Sequence, residues 1–324
     1  MVDARAFWVT SPGSGELRIE TVPAPGPGEV LVRTLHTGVS RGTETLVFQG
    51  RVPESQWGSM RAPFQDGDFP GPVKYGYLNV GVVEKGPAEL AGRTVFALYP
   101  HQTHYVLPES SVTPVPDGVP AHRAVLTGTV ETAVNAVWDA APQLGDRITV
   151  VGGGMVGSSV AAILAGFPAA DVQLVDADPA RKAVADALGV GFALPEAATG
   201  DRDLVIHASA NPAGLARSLE LLRTEGTVVE LSWYGDRDVP LRLGENFHSR
   251  RLTIRSSQVG GILPQRGRTY AERLRLALEL LRDDRFEALL TGRSGFGELP
   301  AVMPRLADGS LPALCHVIDY PGGN

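Results

Sequence analysis

The sequence predicts an α/β fold in which a doubly wound parallel sheet is joined to an irregular β-rich domain. Three observations predict it. From Arg147 onward, apolar β-branched runs alternate with helix-patterned segments. A glycine-rich turn, GGGMVG at 152–157, separates the first such run from a helix of small residues. Residues 1 to about 120 carry short β-like runs, many Gly and Pro, and no long helical period. Strands alternating with helices call for right-handed crossovers and a parallel sheet covered on both faces.

The elements follow in chain order. EVLVR at 29–33 and VGVVE at 80–84 read as strands among turns, and Pro108, Pro114, Pro116 and Pro120 punctuate the end of this part. Residues 121–141 take helical spacing, so a boundary is expected near 122–128. ITVV at 148–151 is a strand, 158–165 a helix and 172–176 the second strand. Asp178-Pro179 offers a cap and a first-turn proline to a helix that Gly189 ends. Residues 204–208 form a third buried run, and Asn211-Pro212 opens a helix through 222. Strands at 227–233 and 252–256 complete the sheet. An amphipathic helix at 270–282 precedes short segments that end at 313–320. This tail is too short to be a domain, so it is expected to return to the first one. The domains are therefore read as 1–125 with 259–324, and 126–258.

Composition narrows the function classes. With 43% hydrophobic and 20% charged residues, the chain resembles an ordinary globular protein, not a disordered or fibrous one. A net charge of -7 leaves no surplus cation for phosphates, which argues against nucleic acid and anionic membrane as partners. The opening MVDARAFWVTSPG lacks a basic stretch followed by an apolar run, so no secretory signal is read and a cytoplasmic location is expected. The single cysteine, Cys315, closes no intramolecular disulfide and supplies no thiolate cluster. Residues 148–167 are long and apolar enough to imitate a membrane helix. The glycines near their start fit a strand, turn and helix better.

Gly152-Gly153-Gly154-Met155-Val156-Gly157 satisfies Gly-x-Gly-x-x-Gly. With 38 glycines in 324 residues the pattern would arise about half a time by chance, so context decides. It follows a β-branched strand, opens a helix, and is followed 19 residues after Gly157 by Asp176 at the end of the next strand. This is the fingerprint of a Rossmann-type dinucleotide-binding domain. Gly152 permits the tight turn, Gly154 lets the backbone approach a pyrophosphate, and Gly157 lets the helix press on the strand. Asp176 accepts hydrogen bonds from ribose hydroxyls and repels a 2′-phosphate, which favours NAD. Arg181 and Lys182 leave NADP open.

On these motifs the chain resembles the medium-chain dehydrogenase/reductase superfamily, whose alcohol dehydrogenase-like members pair a GroES-like catalytic domain with a Rossmann domain. The resemblance spans essentially the whole length. It rests on GVSRGTE (38–44) in the place of the zinc loop, GGGMVG, Thr132-Ala133, DLVIHAS (203–209) and EGTVV (225–229). In zinc members the first ligand is a cysteine where Ser40 stands, the second a histidine where Tyr77 stands, and the third falls near Gly128. The four-cysteine structural lobe is also missing. The resemblance thus implies a zinc-lacking branch, with no metal ligand at any of the three positions. The SxGTE loop and Gly-Tyr motif are similar to those of bacteriochlorophyllide hydroxyethyl dehydrogenases. It further implies cofactor contacts from Arg41, Thr132, Gly152, Gly154, Met155, Val156, Gly157, Asp176, Arg181, Ala208, Ser209 and Ser232. A homodimer through the last strand of the nucleotide domain is implied as well.

Hydride transfer without zinc needs hydrogen-bond donors at the substrate oxygen. Tyr77 stands where a ligand would, so its phenol is the candidate donor, helped by Lys74; the alternative is that it only fills the vacated space. Ser40 and Thr43 are candidates for a proton relay or for turn chemistry. His101 is a candidate acid/base, and His104, three residues on, points to the opposite face of an extended segment. Glu131 is a further candidate. Trp57, Tyr75, Trp233 and Tyr234 are candidates to line a pocket for a flat substrate.

The expected function is a zinc-independent, NAD-preferring dehydrogenase/reductase that interconverts a secondary alcohol and a ketone on a small or medium-sized molecule, heteroaromatic ones included. Two alternatives stay open: an NADPH-dependent reductase of conjugated C=C bonds, and a non-catalytic dinucleotide-binding protein.

Overall fold

The computed structural model describes residues 1–261 and 267–322. Contacts divide the chain into two compact units, Met1–Gly128 with Leu290–Asn324, and Thr129–Leu289.

The first unit is built on the strand Glu29–Ser40, nine of whose twelve residues are buried, so both of its faces are covered along most of its length. It pairs antiparallel with Asn79–Lys85 and with the late strand Cys315–Asp319, while His104–Pro108 pairs with its N-terminal half. Thr94–Ala97 and Val112–Pro114 extend the sheet on one side, and Leu290–Gly295 ends it on the other. Val30, Val32, Val83, Val95, Tyr105 and Leu107 form its core. A smaller sheet has the order Ser14–Val22, Val2–Ser11, Val73–Lys74, Asp66–Gly67. The register that sets Cys315 opposite Ser40 carries the chain's end to the loop of greatest interest.

Leu299–Asp308 is a helix that the sequence reading left among short segments. Its prolines hide it. Pro300 lies in the first turn, where an N–H is not needed, and Gly309 ends the helix at φ +82°.

The second unit contains a six-stranded, all-parallel sheet: β1 (Arg147–Val151), β2 (Asp171–Val175), β3 (Gly191–Ala193), β4 (Arg202–His207), β5 (Leu222–Glu230) and β6 (Thr253–Ser256). Their spatial order is 3-2-1-4-5-6. The order reverses between β1 and β4, which is where a doubly wound sheet opens a crevice at the carboxyl ends of its strands. The crossovers are α1 (Met155–Ala165), α2 (Arg181–Leu188) and α3 (Pro212–Leu221). Asn211 caps α3 by accepting from the Ala213 N–H, and Gly189 ends α2 at φ +74°. One core cluster joins Val151, Val175, Val205, Leu215, Leu219 and Val228 from both strands and helix.

Two boundaries differ from the sequence reading. The single helix expected over 121–141 is two, Ala121–Ala124 and Thr127–Ala140. The described residues of 259–289, read with the first unit, fold with the second. Two arginines help tie them there: Arg273 on α4 (Tyr270–Leu280) pairs with Glu131 and bonds Asn135 and the Val259 and Gly261 carbonyls, and Arg285 bonds the Leu188 carbonyl. No helix among the described residues is long and apolar enough to cross a membrane. The stretch 148–167 is a strand, a turn and a helix.

Candidate functional site

The glycine loop lies at the switch point of the sheet, and each glycine has a distinct physical reason to be there. Gly152 has φ +109°, and a Cβ on it would lie 2.6 Å from the Ser209 backbone nitrogen. A Cβ on Gly157 would lie 1.9 Å from the Gly152 carbonyl oxygen, so only glycine lets α1 seat against the turn. Gly154, the N-cap of α1, has nothing within 4 Å of a Cβ. Its backbone is thus open to an incoming group at the positive end of an eleven-residue helix. Met155 and Val156 form the first turn of α1, the former buried.

Asp176 follows β2 directly. Its Oδ2 accepts from the Gly153 N–H at 2.6 Å and its Oδ1 from the Asp178 N–H at 2.8 Å. The carboxylate therefore stands fixed beside the glycine loop with lone pairs to spare. Arg181 lies against the same loop, its Cβ and Cγ 3.3 Å from a Cβ on Gly153, with its head 3.4 Å from Asp178. These residues fit a dinucleotide: an open helix N-terminus for the pyrophosphate, and a held carboxylate for ribose hydroxyls.

Beyond β4 and β5 lies a polar cluster. His207 and Glu230 end the two strands in register with each other. His207 is fully buried; its Nδ1 is 2.7 Å from Glu230 Oε2 and its Nε2 is 2.6 Å from Ser209 Oγ. Burial opposes ionisation of Glu230, but hydrogen bonds from His207 and Ser232 outweigh it and hold the carboxyl below its ordinary value. The Ser232 N–H donates to Glu230 Oε1, Ser232 Oγ accepts from the Ala210 N–H, and the Tyr234 hydroxyl donates to Glu230 Oε2. Ala208, Ser209 and Ser232, expected at the cofactor, thus converge at the carboxyl edge of the sheet.

In the first unit, GVSRGTE turns from the end of Glu29–Ser40 into the short helix Thr43–Phe48. Glu44 is buried and divides its oxygens: Oε1 accepts from the Ser40 N–H and Oε2 lies 2.8 Å from His101 Nε2. His101 Nδ1 lies 2.7 Å from Thr37 Oγ1, which in turn is 3.3 Å from the Tyr320 hydroxyl. Tyr77 hydrogen-bonds Ser40 and Thr43. Burial and the Glu44 charge push its phenol up to about 12, against the downward pull of those two hydroxyls. Gly76 makes room for the arrangement, since its φ is +140° and a Cβ there would stand 3.0 Å from the His101 ring.

Ser40, Tyr77 and His101 are therefore brought together, with His101 behind Glu44 instead of open to a ligand. Lys74 is not part of the group. Its ammonium is 2.8 Å from Glu20 and 3.7 Å from Asp66, over the Trp8 ring, so those carboxylates hold it elsewhere. Glu131 is no free acid/base either, because Arg273 pairs with it at 3.0 Å in the interior. Arg41 is exposed at the loop, and Thr132 is half-buried on Thr127–Ala140. His104 stands 3.9 Å from Glu84, apart from His101. Tyr75 packs edge-on against Tyr77, Trp57 donates to the Val52 carbonyl, and Tyr234 stacks on His207; the four aromatics form no single cluster within either unit.

The donor set does not fit a zinc ion. Ser40 and Tyr77 offer neutral hydroxyls, weak ligands beside thiolate or imidazole. At Gly128 a Cβ would stand 2.6 Å from Leu78 Cδ2, so an aliphatic side chain fills that space. Cys315 is buried next to Gly38, and burial followed by the Glu44 charge pushes its thiol far up. Among the described residues no group of three or more His, Cys, Asp and Glu is placed to hold a metal.

Sequence reasoning missed the pairing of His207 with Glu230. The signal was present: DLVIH and TVVE are adjacent apolar strands that each end on a titratable residue. Only the parallel register shows that the two ends meet.

No family model matches the chain. Solved structures of like fold cover nearly all of it. L-idonate 5-dehydrogenase from Escherichia coli matches at TM-score 0.81 and 15% identity, covering 98% of this chain and 99% of that one. 2R,3R-butanediol dehydrogenase from Bacillus subtilis matches at 0.76 and 16%, covering 98% and 99%. A short chain alcohol dehydrogenase from E. coli CFT073, complexed with NADH, matches at 0.76 and 14%, covering 99% of each. At such identities the likeness establishes architecture: the chain has the fold of these dehydrogenases, a Rossmann-type doubly wound sheet with a GroES-like β-rich partner.

Proposed function

We propose that the chain is a nicotinamide-dependent oxidoreductase that interconverts a secondary alcohol and a ketone, prefers NAD(H), and works without zinc. One observation carries the reading. The hydroxyls of Ser40, Thr43 and Tyr77 are grouped in the loop where zinc members of the resembling superfamily hold their metal, in a chain that also has a complete dinucleotide fingerprint. The idonate and butanediol dehydrogenases of like fold support chemistry at a CH–OH group, and the neighbour complexed with NADH supports the cofactor class.

Nicotinamide dinucleotide, held by Gly154, the first turn of α1 and Asp176, would supply or accept the hydride. The Asp176 charge disfavours a 2′-phosphate, which supports NAD over NADP. Tyr77 donates its O–H to the substrate oxygen. With its phenol pushed up to about 12, it stays protonated at neutral pH. It can still protonate an alkoxide, whose conjugate acid is weaker than the phenol. This asymmetry favours ketone reduction, since a tyrosinate base is scarce at neutral pH. Ser40 and Thr43 orient the phenol. Glu44, pinned by His101 and the Ser40 N–H, fixes the loop that carries them.

The test is a paired calorimetric titration of metal-analysed protein with NADH and NADPH, followed by a carbonyl screen. Tighter NADH binding without stoichiometric zinc is expected. Tyr77→Phe should then lower turnover by about 10²–10³ while the NADH Kd stays within about twofold. Stoichiometric zinc in active protein, or an unchanged rate in the variant, overturns the mechanism. A homodimer along β6, the last strand of its sheet, belongs to the same proposal.

A further inference from the structure

The cluster at the ends of β4 and β5 has a defined hydrogen-bond polarity. Glu230 is an acceptor on both oxygens: the Ser232 N–H donates to Oε1 at 2.7 Å, and the Tyr234 hydroxyl donates to Oε2 at 3.1 Å. A carboxylate has no proton to offer, so His207 Nδ1, 2.7 Å from Oε2, must be the protonated nitrogen. In the neutral imidazole Nε2 is then an acceptor, and the proton in the 2.6 Å contact comes from Ser209. Ser209 Oγ also accepts from the Asn211 N–H at 3.3 Å. With its proton committed to histidine, the hydroxyl can only accept from anything else.

The backbone of Ser209 lies against the glycine loop, while its hydroxyl sits between His207 and the first turn of α3. Gly152 approaches the Ser209 nitrogen so nearly that a Cβ would be 2.6 Å from it. Gly214 lets α3 close over the pair, as a Cβ there would be 2.4 Å from Ser209 Oγ and 2.9 Å from His207 Nε2. Ser209 follows β4, across the switch point from Asp176, which follows β2. A dinucleotide whose adenosine ribose meets Asp176 presents its other half to this side.

We infer that Glu230 and His207 are positioning residues for the dinucleotide, fixing Ser209 as a hydrogen-bond acceptor for an amide N–H of the nicotinamide riboside half. The inference rests on the dinucleotide-binding reading above. Glu230 acts on the ligand only through the histidine tautomer. That makes Glu230→Gln an informative change of nearly constant shape. The Ser232 N–H requires the amide oxygen to face it, so the amide NH₂ faces His207 Nδ1. The proton must then sit on Nε2 and point at Ser209, which becomes a donor.

NADH and ADP are titrated into wild type, Glu230→Gln, Ser209→Ala and the double variant, with thermal denaturation as a folding check. ADP carries the diphosphate and adenosine ribose but lacks the second riboside. Glu230→Gln and Ser209→Ala are each expected to weaken NADH about tenfold and leave ADP within about twofold, one lost hydrogen bond being about 1–1.5 kcal/mol. The double variant is expected to be no weaker than the weaker single one, because both act on one contact. Three results overturn the inference alone: NADH affinity unchanged in Glu230→Gln, NADH and ADP weakened together, or additive losses in the double variant. Wild type that binds neither NADH nor NADPH overturns both this inference and the cofactor reading.

Discussion

Arg273→Ala is expected to destabilise the second unit by about 3–5 kcal/mol, since it removes one member of a buried ion pair and strands the other. Arg273 is 1% exposed and Glu131 4%. Its guanidinium donates to Glu131, to the Asn135 side chain and to the Val259 and Gly261 carbonyls, and it lies over the Tyr270 ring. Alanine leaves all four acceptors without that donor and opens a cavity besides. A lower denaturant midpoint at unchanged slope is the expected readout. Adding Glu131→Gln to Arg273→Met should recover at least half of the loss, because the double change removes the buried charge along with its partner.

The pH dependence of this effect has a definite sign. Burial raises the Glu131 carboxyl above its ordinary value, and Arg273 pulls the other way without cancelling it. Between the unfolded value and the raised folded one, the native state holds a proton that the unfolded chain has released. Stability therefore falls as pH rises through that window and is recovered below it. Without Arg273 the downward pull disappears and the window widens. The deficit of Arg273→Ala should accordingly shrink as pH is lowered toward 5. A deficit that is constant with pH would assign the loss to packing instead of to an uncompensated charge.

The same side chain shows what local pattern can reveal. The doubly wound sheet was legible because its signals are short-range: ITVV before GGGMVG, Asp176 after the next strand, Asn211-Pro212 before α3. The hydroxyl character of the loop at Ser40 and Tyr77 was equally open to reading, as it needs only residue identity. Arg273 and Glu131 are 142 positions apart, and no periodicity in 259–289 tells which unit that segment joins. Lys74 failed for the same reason. Its neighbourhood to Tyr77 in sequence suggested a shared site, but Glu20, 54 residues away, holds its ammonium. His101 was singled out as a candidate acid/base; the structure sets it behind Glu44, and its pairing with Glu44 and Thr37 follows from strand pairing that sequence spacing does not encode. Sequence thus exposed backbone geometry and residue chemistry, and the structure supplied the partners.

The glycine loop allows those two kinds of information to be separated by experiment. Gly157→Ala is expected to damage folding and dinucleotide binding together. Its Cβ would lie 1.9 Å from the Gly152 carbonyl oxygen and 3.3 Å from Val150 Cγ1, and backbone cannot yield as the end of a flexible side chain can. Forcing α1 off the turn should cost about 1–3 kcal/mol, as overpacking does, and weaken NADH more than tenfold. Gly154→Ala should behave differently. Nothing lies within 4 Å of its Cβ, so stability should change by no more than about 1 kcal/mol, the scale of an N-cap substitution. The added methyl nevertheless projects from the N-cap where a pyrophosphate must approach the backbone, and NADH affinity should drop about tenfold or more. Comparing the two variants by thermal melting and NADH titration therefore distinguishes a turn needed for packing from a turn needed for phosphate. If Gly154→Ala binds NADH as wild type does, the dinucleotide does not lie on this helix terminus, and the cofactor reading fails even though the fold is that of a dehydrogenase.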